Sequence, residues 1–186
     1  MEKIISKNIY LRQFQTRDIT NEYIASLNDQ NIVGLTEARH RIWAPDDVKK
    51  YVQESNKEKC SLLIGIFLNE NDKHIGNIRL FNFHDVHKRV ELGIMIYDTS
   101  QWSKGLGTEA ILAVEKYVFS TLQYHKICAD YYSVNNASAR MFEKAGYILE
   151  GTFKDHFFLH DRYVDSVRIA KFNPDEINNM NKKGGR

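Results

Sequence analysis

The residues best suited to chemistry lie in one run, Trp102-Ser103-Lys104-Gly105-Leu106-Gly107-Thr108-Glu109-Ala110, where two glycines two positions apart open an apolar helical repeat. The first amides of a helix have no partner within it, and the helix dipole adds partial positive charge there. Glycine lets a phosphate approach those amides closely, so the run reads as a pyrophosphate cradle. A helix entrance that merely uses flexible glycines is the competing reading. A Walker loop is excluded, because Gly105 has no partner glycine at the required spacing with Lys and Ser or Thr after it. Gly105-x-Gly107-x-x-Ala110, with Asp130 about twenty residues on, does fit a dinucleotide fingerprint. Context argues against it: the glycines begin well after the preceding strand ends, the first half of the chain reads as a meander, and too little chain follows for a second nucleotide-binding half.

Other reactive side chains are dispersed. Glu91 stands in a β-type run three residues before Ile94, with His84 and His87 just ahead of it. Glu37, Arg39, His40 and Arg41 cluster between two helical segments, as a substrate wall or a solvated loop. Cys60 and Cys128 each sit among apolar residues with no Cys or His at ligand spacing, so both read as buried free thiols and no metal site is expected.

Positioning these groups falls to an alternation of strands and helices. Residues 8–12 alternate as a first strand, and a helix follows, with Thr16 or Asp18 as N-cap and Ile19, Tyr23, Ile24 and Leu27 at helical spacing. A second helix starts at Ala44-Pro45-Asp46-Asp47. Strands are expected at 61–68, 74–82 and 90–96, separated by turns at 69–72 and 85–88. The strongest helix spans 107–122, with Ile111, Val114, Val118 and Leu122 in one stripe. A fifth strand at 127–133, a short helix at 135–145 stopped by Gly146, and strands at 147–153 and 163–172 complete the chain. The result is an α/β (α+β) sandwich in which the crossover through the long helix makes the fourth and fifth strands parallel.

The 186 residues suit one domain, taken as 1–172, with a polar C-terminal tail at 173–186. A net charge of +2 with acids and bases interspersed gives no case for a nucleic-acid or membrane partner. The N-terminus lacks the apolar core of a signal peptide, no apolar stretch is long enough to span a bilayer, and the two cysteines suit a reducing, cytoplasmic compartment.

At the glycine loop the chain resembles the GNAT superfamily of N-acetyltransferases, whose loop reads Gln/Arg-x-x-Gly-x-Gly/Ala. Thr108-Glu109-Ala110 is similar to the ribosomal-protein-alanine acetyltransferase branch, which is also close to polyamine and amino-sugar acetyltransferases. So are Val90-Glu91-Leu92-Gly93-Ile94-Met95-Ile96, the segment 135–147 that begins Asn135-Asn136-Ala137-Ser138, and Glu150-Gly151-Thr152-Phe153-Lys154-Asp155 with Tyr163-Val164-Asp165. The likeness runs from about Leu11 to Phe172. It implies a mostly antiparallel sheet whose parallel fourth and fifth strands splay to admit acetyl-CoA. It further implies that the Ile94-Met95-Ile96 backbone pairs with the pantetheine arm, that backbone N–H groups of Ser103, Lys104, Gly105, Leu106, Gly107 and Thr108 hold the pyrophosphate, and that Trp102 offers the cofactor a packing surface. Asn135, Ser138 and Phe142 would then lie along the cofactor. Two departures stand out: Trp102 replaces the usual Gln or Arg, and Phe142 replaces a Tyr that many members use to protonate the leaving thiolate, leaving that step to Ser138 or water.

An alkylamine attacks a thioester only when neutral, and near pH 7 it is almost wholly protonated, so a base is needed. Glu91 is the candidate; the alternative is a strand carboxylate paired with Lys88 or Arg89. A backbone N–H near Ile94 would serve the oxyanion. Asp155 and Asp165 are expected to orient the last hairpin. The acceptor is a small-molecule amine or a protein N-terminus. Arg39, Arg41, Lys88 and Arg89 lean toward an anionic one such as a nucleotide-linked amino sugar. A polyamine, a non-catalytic acyl-CoA sensor or scaffold, and a family-type homodimer complete the expectations.

Overall fold

From the N-terminus the chain forms β1 (Ile4–Ile5), β2 (Ile9–Gln13), α1 (Asn21–Leu27), a single turn α2 (Gln30–Val33), α3 (Pro45–Lys57), β3 (Ser61–Leu68), β4 (His74–His84) and β5 (Arg89–Ile96). It continues with α4 (Leu106–Lys116), β6 (Lys126–Tyr132), α5 (Asn136–Lys144), β7 (Ile148–Leu159) and β8 (Arg162–Phe172). The computed structural model describes residues 1–57 and 61–175; Cys60 and the tail beyond residue 175 lie outside them. The strands make one sheet in the order β1-β2-β3-β4-β5-β6-β8-β7. Neighbours are antiparallel except β5 and β6, which run parallel. These two are the expected fourth and fifth strands, displaced in number because Ile4 pairs with Leu11 and adds a short edge strand.

The near-continuous apolar run of β3 marks a strand covered on both faces. Ile64, Ile66 and Leu68 join a core with Ile111 and Val114 of α4 and Phe142 of α5. Leu63 and Phe67 point the other way, into a second core with Tyr23 of α1 and Val48 and Val52 of α3. The sheet is therefore a middle layer, with α4 and α5 on one face and α1 to α3 on the other.

Three details differ from the sequence reading. The N-cap of α1 is Thr20, whose side chain accepts from Tyr23 N–H at 3.1 Å, because residues 16–18 form a separate 3-10 turn closed by Arg12 on Asp18. Helix α4 ends at Lys116 and widens into a π turn at Tyr117–Thr121, which buries Val118 and Phe119 side by side. Asn173, read as the start of the tail, is buried; its N–H donates to His125 O at 2.8 Å. Among the described residues no helix is long and apolar enough to cross a membrane.

Candidate functional site

The parallel pairing of β5 and β6 lasts three rungs, Arg89 with Lys126, Val90 with Ile127 and Glu91 with Cys128. Beyond them β5 stays on β4 while β6 stays on β8, and the two strands part. Backbone direction alternates along a strand. Lys88 O accepts from His125 and Lys126 N–H on the β6 side, and Tyr97 N–H donates to Ile75 on the β4 side. Leu92, Ile94 and Ile96 therefore turn their backbone groups toward the opening, while Gly93 and Met95 turn theirs toward β4. Met95 is thus not brought to the opening by its backbone, and its side chain packs into the α1–α3 core. Trp102 Nε1 donates to Ile96 O at 2.8 Å, which shows that this carbonyl faces away from β4.

The glycine loop lies at the open end. Ser103 (φ 62°) and Gly105 (φ 80°) are both left-handed, so successive amides turn the same way before α4 begins. Gly105 is the helix N-cap, and the amides of Leu106, Gly107 and Thr108 form the unpartnered first turn. A Cβ at Gly105 would meet nothing within 4 Å. A Cβ at Gly107 would stand 2.6 Å from Met141 Sδ, so that glycine serves the close approach of α4 to α5. Glu109 fixes the start of α4 to β2 by accepting from Asn8 N–H and Nδ2 at 2.7 and 2.8 Å. Lys104 extends to Gln101 at 3.1 Å, and Leu106 is buried. An open left-handed N-cap with outward amides suits an anionic diphosphate.

Helix α5 borders the same end. Asn135 caps it, its Oδ1 accepting from Ser138 N–H at 3.0 Å, so that acceptor is committed to the fold. Ser138 is half-buried. Phe142 is only 4% exposed and packs between Tyr131 and Tyr147, with ring centroids at 6.4 and 5.0 Å.

On the α1–α3 face the pleat aligns Glu91 of β5 with Cys128, Asp130 and Tyr132 of β6. Glu91 Oε1 pairs with Arg168 Nη2 of β8 at 3.4 Å, not with Lys88 or Arg89, and Arg168 Nη1 also binds Asp130. Burial pushes the Asp130 carboxyl up, against the opposing pull of Arg168, and burial likewise pushes up the Cys128 thiol. Tyr132 donates to Glu37 Oε1 at 2.5 Å and stacks on Phe157 at 4.0 Å. A cavity of about 390 Å³ opens here, lined by Glu37, His40, Tyr132, His156, Phe157 and Asp161 among others.

The sequence reading anticipated Glu37, Arg39 and His40 at this cavity but missed Tyr132 and His156 there, and it missed the meeting of Asp130 and Arg168 with Glu91. Alternation along 128–132 was legible; that β8 lies beside β6, and so delivers Arg168, was not. His156 is carried inward by a bulge between Phe153 and Phe157 with Asp155 at φ 50°, which no sequence pattern announces. Arg41 turns away onto Trp43, 3.4 Å from its ring centroid. His84 and His87 stack on each other in the β4–β5 turn, at the closed end of the β5–β6 pair. Asp165 ties down the last hairpin, accepting from Asp155 N–H at 3.0 Å and from Lys154 at 2.7 Å.

Residues 8–148 match the family model described as an acetyltransferase (GNAT) domain. The chain is 27% identical over 162 residues to an N-acetyltransferase derived from the SPbeta prophage of Bacillus subtilis, covering 87% of this chain and 88% of that one. It is 27% identical to the ribosomal protein uS5-alanine N-acetyltransferase of Escherichia coli over 67% of this chain and 64% of that one. Its fold matches the spermidine N-acetyltransferase of Vibrio cholerae in complex with CoA and spermine, with a TM-score of 0.82, 20% identity and coverage of 93% and 100%.

Proposed function

The chain belongs to the GNAT family of acetyl-CoA-dependent N-acetyltransferases, and from that premise we propose that it acetylates the primary amine of a small molecule entering over the Glu91–Cys128 rung. The observation that carries this is the three-rung parallel pair that opens toward the Gly105 loop. In this proposal the backbone of Ile94 and Ile96 aligns the acyl-carrying arm, and the amides of Ser103 to Thr108 neutralise the diphosphate. Trp102 and Phe142 wall the arm, and Asn135 holds the end of α5 beside it. Acetyl-CoA supplies an activated thioester; the protein supplies position and proton management. Glu91 takes the ammonium proton, the Ile94 N–H faces the developing oxyanion, and Ser138 or a water serves the departing thiolate, since Phe142 has no proton to give.

The cavity at Tyr132, four residues along β6 from Cys128, limits the acceptor. Two carboxylates, Glu37 and Asp161, face it along with histidines and Arg39, whose guanidinium donates to Phe158 O, while Arg41 and Lys88 pack on Trp43 and Tyr124. That balance favours a cationic or neutral amine, such as a polyamine, over a nucleotide-linked amino sugar, whose diphosphate would want those cations. A protein N-terminus, as in the uS5-alanine relative, is the second reading, because the cavity is open to solvent at Glu37, His40 and His156. A cytoplasmic enzyme suits the free, buried Cys128. Assembly as a homodimer belongs to the same proposal, supported by Ile148, Leu149, Phe153 and Phe158, each more than half exposed on the edge strand β7.

Calorimetric titration with acetyl-CoA, beside NADH and ATP, tests the cofactor assignment, and thiol release with amines ranks the acceptors. Binding of acetyl-CoA alone, followed by turnover with polyamines ahead of amino sugars, is expected. A folded sample that ignores acetyl-CoA refutes the site.

A further inference from the structure

Among the described residues, Arg168 brings a cationic group to the inner end of the β5–β6 opening. Arg168 rises from β8, is paired with Asp130 across the β6–β8 ladder, and reaches diagonally over Cys128 to Glu91. One guanidinium therefore holds a carboxylate from each of the two strands that diverge, Glu91 at the last rung and Asp130 two residues beyond its partner Cys128. Exposed ion pairs contribute little because water competes for both partners. Here the Arg168, Glu91 and Asp130 side chains are 18%, 21% and 30% exposed, and a planar guanidinium with two acceptors has a fixed geometry.

We infer that Arg168 is a positioning residue for the transfer: by tying Glu91 to Asp130 it fixes the width of the opening and aims the Glu91 carboxylate at the incoming ammonium. This rests on the reading of Glu91 as the base. The consequences are electrostatic as well as mechanical. Asp130 faces Arg168 from β8, Glu91 from β5 and His156 from β7, and Cys128 lies under the guanidinium beside the Lys126–Glu150 pair. Loss of Arg168 leaves Glu91 and Asp130 as like charges at the inner end of the opening with no guanidinium between them, so the Glu91 carboxylate is no longer held toward the incoming ammonium.

The test compares Arg168→Gln and Arg168→Lys with the wild-type protein, using acetyl-CoA and the best amine from the thiol-release screen. Acetyl-CoA affinity, read by calorimetry, is expected to stay within about twofold. The kcat of Arg168→Gln at pH 7 should fall roughly tenfold or more with little change in the KM of the amine, and Arg168→Lys should recover part of the loss. Adding Asp130→Asn to Arg168→Gln should also recover part of the kcat, because the like charge is gone. An Arg168→Gln protein with the wild-type kcat overturns the inference. So does a fall in kcat that comes with an equal loss of acetyl-CoA affinity and thermal stability and that Asp130→Asn does not recover, which is the signature of a merely structural arginine. If Arg168→Gln does not fold, the kcat and KM of Arg168→Lys decide by the same criteria. A wild-type protein that binds acetyl-CoA but acetylates no amine refutes the proposed function instead.

Discussion

Substitution of Gly105 separates the phosphate cradle from a plain helix entrance. Gly105 sits at φ 80° and ψ 1°, and a Cβ there meets nothing within 4 Å. Gly105→Ala therefore costs only the left-handed strain, roughly 1–2 kcal/mol, with no packing penalty. For a chain of this size that is a fall in Tm of roughly 2–8 °C. Gly105→Glu has the same strain but places a carboxylate among the amides of Leu106, Gly107 and Thr108. A unit charge about 6 Å from a phosphate, at an effective dielectric of about 20 to 40, opposes binding by roughly 1.4–2.8 kcal/mol. Calorimetry should show acetyl-CoA affinity weakened about ten- to hundredfold in Gly105→Glu, and thermal denaturation should show both variants folded. Wild-type affinity in a folded Gly105→Glu protein refutes the cradle. Gly107 is a less direct place for this test, since Met141 Sδ stands 2.6 Å from its Cβ position and a side chain there must also push the Met141 side chain aside.

Glu91→Gln should lower kcat by about 10²–10⁴-fold with little change in acetyl-CoA affinity; full activity between pH 6 and 9 would remove Glu91 from the chemistry. Glu115, buried in α4 beside Tyr147, has its carboxyl pushed up to about 7 by burial. The folded state then holds a proton that the unfolded state releases near the model value of 4.5, so this group's contribution to stability declines as pH rises from about 4.5 to 7. Glu115→Gln should raise Tm at pH 8, by an amount corresponding to at most roughly 3 kcal/mol, and leave it nearly unchanged at pH 4.5; equal Tm at both values would show that Glu115 is ionised in the fold without cost. Asn135→Ala removes the α5 cap and should cost about 0.5–2 kcal/mol in denaturant unfolding, whereas an unchanged midpoint would mean that another group caps the helix.

Local pattern carried a large part of this protein. The β-type run of 90–96, the apolar stripe of 107–122 and the Asn135–Gly146 helix are short-range signals, and each became an element, although α4 gives way to a π turn after Lys116. The glycine spacing at 105 and 107 fixed the helix entrance, because a left-handed N-cap is a property of one residue's backbone. The N-cap of α1 escaped because Thr16, Asp18 and Thr20 are all good caps, and only the Arg12–Asp18 pair decides that residues 16–18 turn separately. Tertiary structure alone decided which charged side chains meet on the α1–α3 face. Strand β8 inserts between β6 and β7, so Arg168 meets Asp130, 38 residues away, and Glu91, 77 residues away. Strand order is set by how whole faces are buried and leaves no mark at the residues concerned. The sequence determined the elements and the left-handed entrance to α4; packing of the sheet determined which charges meet where β5 and β6 part.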